Sequence, residues 1–492
     1  MNAPELGLSG LAVYVPPYRV DLQRWCRWSG QDWDKTRAVV GHAFRVRGPQ
    51  HSVYTMAANA VLRLIDRYEI DPQHVGYLAL GTESSTDNAT GAVIVRGLVD
   101  RALRAAGRVP LARDCEVPEF KQACLAGVYG IKGAMRYLAL DGAGRQAIVV
   151  ASDVAEYARG STGEPTQGAG AVAMLVEREP QLLALDLAAA GNASDYRVLD
   201  FRKPFARYCG QQPAALGRVL DFPVFNGKYS TACYLEATLA ALAALLDKRG
   251  GARASFFHEV VAAVMHRPYH RMPHQGWAMA YLFALGADGG GAHAELSGYC
   301  VAAGMTLNEV LTEMRATPAL GAHAERGDLI AEPYPRCVQV LKAFRKTPIH
   351  HDVVETKLSL GAEPMMEMGN LYTAALPAWL AAGLEEAAIN GNDLTGRPLV
   401  LIGYGSGDAS DAIPARVADG WQRAAARIGF AAALAGGVDV DQAQYEALHA
   451  ADYRVPLPAV TDNGFIVERV GAGDRRGCED FGIEFYRYAG GA

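Results

Sequence analysis

The chain has 492 residues, half of them hydrophobic and a fifth charged, with a formal net charge of −6. That length supplies core for roughly two to four domains of an ordinary globular protein, and the acidic balance without a basic arm excludes a nucleic-acid-coating protein. The eight cysteines form no C-x-x-C pair, which argues against a zinc ribbon or a secreted disulfide framework. Met1-Asn-Ala-Pro-Glu-Leu lacks the pattern of a signal peptide, and the Ala/Leu stretch Leu235–Leu246 is too short to span a membrane. A cytoplasmic, reduced protein without a membrane partner is the expectation.

In chain order, the helical spacing of Thr55–Glu69 leads into an apolar, strand-like run Val75–Gly81 and then Thr82-Glu83-Ser84. A helix follows Cys124 to about Leu140, then strands at Gln146–Ser152 and Gly168–Val176. The second half repeats the order. A helix over Leu235–Arg249 precedes a strand Glu259–Met265 that ends at His266. Gly369-Asn370 opens a second small-residue helix, and the strand Pro398–Gly403 runs into Tyr404-Gly-Ser-Gly407. Apolar strands separated by helices predict an α/β protein whose sheets are covered on both faces. The repetition predicts a duplicated unit in which Glu83 and His266 end matching strands, while Cys124 and Asn370 open matching helices. The expected divisions are 1–180, 181–435 with a long insertion from about Arg271 to Pro364, and a C-terminal appendage, 436–492, which is Gly-rich and carries the charged patch Asp474–Asp480.

Each polar residue admits two readings. Cys124, in Lys121-Gln-Ala-Cys-Leu-Ala-Gly, is a core cysteine or a nucleophile whose thiol a helix N-terminus would make more acidic. Glu83 is a solvated loop residue or a general base raised towards neutrality by burial. His266 begins His266-Arg-Pro-Tyr-His270-Arg-Met-Pro-His274, which imitates metal-ligand spacing, but Pro268 and Pro273 would break the helix that such spacing needs. His266 is then a satisfied core histidine or a hydrogen-bond donor to a carbonyl. Gly403-Tyr-Gly405-Ser-Gly407 resembles a dinucleotide fingerprint only loosely, and backbone N–H groups facing an oxyanion are the simpler reading. Thr166 and Ser230 are polar spots with turn chemistry as their alternative.

The ordered set Gly81-Thr-Glu-Ser, Lys121-Gln-Ala-Cys, Gly163-Glu-Pro-Thr-Gln-Gly-Ala-Gly, Asn226-Gly-Lys-Tyr-Ser, His266-Arg-Pro-Tyr, Gly369-Asn-Leu-Tyr-Thr and Tyr404-Gly-Ser-Gly resembles the hydroxymethylglutaryl-CoA synthases of the thiolase superfamily. The resemblance runs from about residue 8 to about 415. It implies a five-layered αβαβα fold built from two α/β halves, a homodimer, and no metal or organic cofactor beyond CoA thioester substrates. It implies that Cys124 carries an acetyl group from acetyl-CoA, that Glu83 removes a methyl proton, and that His266 binds and protonates the ketone oxygen of acetoacetyl-CoA. Cys124 and the neighbourhood of Ser406 would supply oxyanion N–H groups. Thr166, Ser230, Asn370 and Ser406 would contact acyl groups or product.

The chain departs from that pattern in several places. Arg271 and Gln275 stand where lysines would hold CoA phosphates, Asn226 replaces an aspartate, and Pro377 threatens a kink in the helix that Asn370 opens. Three alternatives follow: a β-branching synthase acting on acetoacetyl-acyl-carrier protein, a ketoacyl synthase III-like enzyme that would not need Glu83, and a catalytically silent scaffold. The pathway would be isoprenoid supply through mevalonate or branched-chain acyl metabolism.

Overall fold

The computed structural model describes residues 5–85, 90–197, 199–204, 222–329, 332–452, 454–460, 464–473 and 479–490. Residues 474–478 of the charged C-terminal patch lie outside these ranges. The chain begins with β1 (Leu6–Tyr14), β2 (Tyr18–Asp21), α1 (Leu22–Ser29), α2 (Trp33–Val39) and β3 (Ala43–Val46). Then come α3 (Val53–Arg67), β4 (Val75–Gly81), α4 (Gly91–Ala105), β5 (Glu119–Phe120), α5 (Ala126–Ala139), β6 (Gln146–Ala155) and β7 (Gly168–Arg178). The short β8 (Leu183–Leu185) precedes β9 (Gly191–Ser194), α6 (Gly227–Arg249), α7 (Arg253–Glu259) and β10 (Ala262–Met265).

The long insertion is helical. It contains α8 (Met272–Asp288), α9 (Gly290–Ala302), α10 (Leu307–Arg315), α11 (Leu320–Glu325), α12 (Pro335–Phe344) and the single-turn α13 (Pro348–His350). The second half closes with α14 (Ala375–Ile389), β11 (Pro398–Gly405) and β12 (Ala409–Val417). The tail adds α15 (Trp421–Ala425), α16 (Phe430–Ala435), β13 (Val438–Asp439), α17 (Gln442–Ala450), β14 (Phe465–Val470) and β15 (Glu484–Tyr488).

Strand pairing shows the duplication directly. In the first half β4 runs parallel to β6, β6 antiparallel to β7, and β7 antiparallel to β1. In the second half β10 runs parallel to β11, β11 antiparallel to β12, and β12 antiparallel to β9. β8 pairs with both β1 and β12 and so joins the half-sheets edge to edge. Helices α3 and α4 pack together, with α3 covering the first half-sheet, and α6 lies on β9, β12 and β11 of the second. Between the half-sheets, α5 packs on β4 and β6, while α14 touches strands of both halves. This is a five-layered αβαβα arrangement.

The sequence explains why the layers close. β4 is an uninterrupted buried run, Val-Gly-Tyr-Leu-Ala-Leu-Gly, as a strand covered on both faces requires. α3 is closed at its start by a capping box between Ser52 and Thr55 and buries most of its residues. The central helix α5 carries Gly127, Gly130 and Gly133, and a Cβ added at Gly130 would meet the Val149 side chain at 2.7 Å. Only a small residue lets α5 press that closely on β6.

Four local expectations are revised. Glu259, the first residue of the Glu259–Met265 run, ends α7, and β10 starts only at Ala262. α6 starts eight residues before Leu235, at Gly227. Its 23 residues are long and apolar enough to cross a membrane, but 67% of that apolar window is buried inside the fold, as in a core helix. Cys124 precedes α5, and Asn370 precedes a 3-10 turn over Tyr372–Ala374 from which α14 continues. Pro377 is therefore the third residue of α14, where no intrahelical N–H is lost, and the expected kink has no cause.

Candidate active site

The parallel strands β4 and β10 both end at the site, and each is followed by a residue of interest, Glu83 after β4 and His266 after β10. The loops that open α5 and α14 bring in Cys124 and Asn370. Both loops hold a non-glycine residue in the left-handed region, Ala123 at φ 44° and Tyr372 at φ 47°. Such conformations cost about 1–3 kcal/mol each and persist only where surrounding structure imposes them. Gly405 shows what imposes the first. A Cβ there would lie 2.3 Å from the Gln122 carbonyl oxygen, so β11 is pressed directly against the Cys124 loop.

One cavity of about 120 Å³ is lined by Cys124, Thr166, Ser230, His266, Asn370 and Ser406 together with aromatic walls from Tyr157, Phe201, Phe225, Tyr372 and Tyr404. Glu83 does not line it but stands beside Cys124, whose thiol donates to Glu83 Oε2 at 3.2 Å. All seven residues singled out in the sequence thus meet in one place. Asn370 is fixed on three sides. Its N–H donates to the Thr166 carbonyl at 2.9 Å, its Oδ1 accepts from Tyr372 N at 2.9 Å, and its Nδ2 donates to the Tyr157 hydroxyl at 3.4 Å.

The electrostatics correct one expectation. Cys124 is 7% exposed, and burial together with the adjacent Glu83 carboxylate pushes its thiol well above the usual range. The helix N-terminus does not prevail: Gly127 N, in the first turn of α5, is already taken by Thr373 Oγ1 at 2.5 Å. Glu83 itself is half-buried by surface yet surrounded by protein, and burial, with the Asp153 carboxylate beside it, pushes it up to about 8. A carboxyl poised near neutrality next to a thiol can take a proton and return it. His266 is 2% exposed, its Nδ1 has no hydrogen-bond partner among the described residues, and burial lowers it to about 3. It is a neutral imidazole at physiological pH.

Asp153 was not anticipated. Its Oδ1 accepts from Thr82 Oγ1, Glu83 N, Ser84 N and Ser84 Oγ at 2.8 to 3.0 Å, and its Oδ2 accepts from Thr373 N at 3.0 Å. One buried carboxylate thereby ties the Glu83 loop of the first half to the start of α14 in the second. Its signal was the one that marked Glu83, a lone carboxylate at the end of a buried strand, here in Ala151-Ser-Asp-Val. Asp200 plays a similar part near Ser406, accepting from the Tyr404 hydroxyl at 2.7 Å and Gly407 N at 3.0 Å. Gly407 N is committed to that bond, which leaves Ser406 as the residue of this turn that faces the cavity. Asn226 has its own use, because its Nδ2 donates to the Leu199 carbonyl at 2.7 Å, a bond that an aspartate carboxylate could not make.

The three histidines after β10 do not converge. His270 Nδ1 meets the Arg267 guanidinium at 3.1 Å, and His274 Nε2 lies 3.3 Å from Glu355. Among the described residues no group of three or more histidines, cysteines or acids is arranged to hold a metal ion. Arg271 is engaged as well, with the Ala38 carbonyl at 3.2 Å and Glu355 at 3.5 Å. The tail braces the cavity wall from behind: His449 of α17 bonds the carbonyl of the lining residue Tyr157 at 2.7 Å, and the Tyr445 hydroxyl donates to Glu164 at 2.9 Å.

Residues 3–180 match the family model described as hydroxymethylglutaryl-coenzyme A synthase N terminal. The chain is 26% identical over 454 residues to the hydroxymethylglutaryl-CoA synthase of Haloferax volcanii, covering 90% of this chain and 91% of that one. It superposes on a structure of MvaS in complex with 3-hydroxy-3-methylglutaryl coenzyme A with a TM-score of 0.73, at 25% identity and with 99% of each chain covered. The curacin biosynthetic HMG synthase, solved with holo donor-ACP, shares the fold at a TM-score of 0.67 and 20% identity, over 98% of this chain and 100% of that one. With the duplicated thiolase-like fold, the chain is thus similar over nearly its whole length to hydroxymethylglutaryl-CoA synthases, and its N-terminal part matches their family model.

Proposed function

We propose that this protein condenses acetyl-CoA with acetoacetyl-CoA, through an acetyl group held on Cys124, to give 3-hydroxy-3-methylglutaryl-CoA and CoA. The observation that carries the reading is the Cys124 thiol donating to Glu83 at 3.2 Å beside a cavity that also holds His266 and Asn370. In the first step the sulfur attacks the acetyl carbonyl, Glu83 receives the thiol proton, and the departing CoA thiolate takes it back. Glu83 then removes a proton from the methyl of the acetyl-cysteine, and the carbon formed attacks the C3 ketone of acetoacetyl-CoA. His266, neutral in its buried setting, donates a hydrogen bond to the ketone oxygen as negative charge develops there. The alkoxide takes up the proton that Glu83 removed from the methyl, and water cleaves the thioester to free product and thiol. Holding the acetyl group covalently next to the second substrate makes the carbon–carbon step effectively unimolecular.

Thr166, Ser230, Asn370 and Ser406 belong to the same reading as contacts to the acyl groups. So do the homodimer, the cytoplasmic location and the division of the chain at 180 and 435. A second reading has the acetoacetyl group arrive on an acyl-carrier protein. It is favoured by the engagement of Arg271 with Glu355 and by the uncharged Gln275, since neither offers an uncommitted cation to a CoA phosphate.

Incubation with acetyl-CoA followed by mass spectrometry tests both readings when acetoacetyl-CoA and acetoacetyl-carrier protein are then supplied in parallel. An acetyl adduct on Cys124, absent in Cys124→Ser, with consumption of acetoacetyl-CoA supports the synthase. Consumption on the carrier alone supports the second reading, and no adduct under any of these conditions leaves a silent scaffold.

A further inference from the structure

The turn that carries Ser406 is held by a group of residues outside the cavity lining. Arg197, in the segment after β9, has a side chain 6% exposed, and its guanidinium meets three carboxylates: Asp195 at 2.7 Å, Glu236 at 2.8 Å and Asp408 at 3.6 Å. The backbones lock the same elements together. Arg197 N donates to the Gly407 carbonyl at 2.7 Å, and Asp195 and Asp408 exchange backbone hydrogen bonds at 2.7 and 3.1 Å. Asp200 N donates to the Arg197 carbonyl at 3.2 Å, and the Asp200 carboxylate in turn holds Tyr404 and Gly407.

Asp408 depends on this arrangement. It is 4% exposed, and neither carboxylate oxygen has a hydrogen-bond partner among the described residues, so its compensation is the field of Arg197. An unpaired charge in such a place is costly, and it would also repel Asp200. The elements that Arg197 joins are the ones that line the cavity. Glu236 lies on α6 with Ser230 and Tyr234, Asp408 adjoins the Ser406 turn, and the segment of Arg197 leads to Phe201.

We propose that Arg197 is a positioning residue for the condensing reaction, setting the placement of Ser406 and Phe201 against α6 by drawing Asp195, Glu236 and Asp408 onto one guanidinium. The proposal rests on the reading of Cys124 as the acylated nucleophile. Arg197 touches no substrate; it acts through the turn and the aromatic wall. A planar fork is needed, because an ammonium cannot address three carboxylates in fixed directions.

The test follows the single-turnover rate of Cys124 acetylation by acetyl-CoA in the full-length parent, Arg197→Lys, Arg197→Met and Arg197→Met/Asp408→Asn, with melting temperatures measured alongside. In Arg197→Lys the rate at saturating acetyl-CoA should fall roughly 10- to 50-fold, the scale of a small misplacement of reacting groups. The half-saturating concentration should change by less than about twofold, because ground-state binding is not what is lost. Removing the uncompensated charge should restore at least about fivefold of the rate in Arg197→Met/Asp408→Asn relative to Arg197→Met. A parent-like rate in Arg197→Lys overturns the proposal, as does a loss that only tracks the folded fraction or a double variant no faster than Arg197→Met. A parent that is not acetylated overturns the functional reading itself and this proposal with it, an outcome distinguished by the parent arm.

Discussion

The two halves of this fold place polar residues at equivalent points but give them different proton chemistry. In the first half, Glu83 follows β4 and Cys124 precedes α5, and burial drives both towards their protonated forms. In the second, His266 follows β10 and Asn370 precedes α14, and both are neutral, the imidazole because burial lowers it to about 3. The proposed mechanism puts proton transfer and covalent chemistry in the first half and hydrogen bonding to the second substrate in the other. Asp153 connects the two by bonding both the Glu83 loop and Thr373. Duplication supplied the geometry, and the difference in ionisable groups divides the labour.

The strongest challenge to that division is substitution at the mirrored positions before the two central helices. Cys124→Ser should abolish the acyl adduct and lower turnover by roughly 10⁴-fold or more, as loss of a nucleophile does. Asn370→Ala should leave the adduct intact and slow turnover by only about 10- to 100-fold, the smaller effect of one lost polar contact. Mass spectrometry and steady-state rates of both variants read the contrast.

A smaller effect distinguishes the halves by the pH dependence of stability. Folded Glu83 holds its proton to about 8, whereas an unfolded glutamate loses it near 4.5, so raising the pH across that window costs the folded state. Glu83→Gln should gain stability relative to the parent as pH rises from about 5 to about 8, on the order of 3 kcal/mol. His266 has the opposite sign. Unfolded histidine gains a proton below about 6.5 while the folded imidazole resists until about 3, so acid costs the folded state. His266→Gln should therefore gain on the parent as pH falls from about 7 to about 5, on the order of 1–2 kcal/mol. Denaturant melts at the two pH values check both slopes. The smallest effect belongs to Pro377→Ala. With the proline in the first turn of α14, stability should fall by no more than about 1 kcal/mol, and turnover should be unchanged.

Much of the site was legible because buried strands announce themselves and their last polar residues stand out. Val75–Gly81 and Gln146–Ser152 read as apolar runs, and Glu83 and Cys124 follow from their neighbours. Asp153 escaped because the pattern was applied to β4 and β10 but not to β6, although the same rule marks it. The acidity of Cys124 was misjudged because a sequence shows that a helix begins nearby but not that burial and the adjacent Glu83 outweigh it, nor that Thr373, 246 residues beyond Gly127, takes that residue's N–H. The kink expected at Pro377 failed because the helix starts five residues later than Asn370, after the 3-10 turn. The role of α17 could not be read at all, since its contacts to Tyr157 and Glu164 join positions nearly 300 residues apart, separated by 292 and 281 in the chain.

In the proposed mechanism Cys124 accepts the acyl group and Glu83 is the base for the carbon–carbon step that follows. The most direct measurement is the intact mass of Glu83→Ala after acetyl-CoA and then after a chase with acetoacetyl-CoA. An acetyl adduct on Cys124, formed more slowly than in the parent because Glu83 also receives the thiol proton, should persist through the chase while acetoacetyl-CoA is not consumed. An adduct that the chase converts to product at the parent's rate would contradict the mechanism.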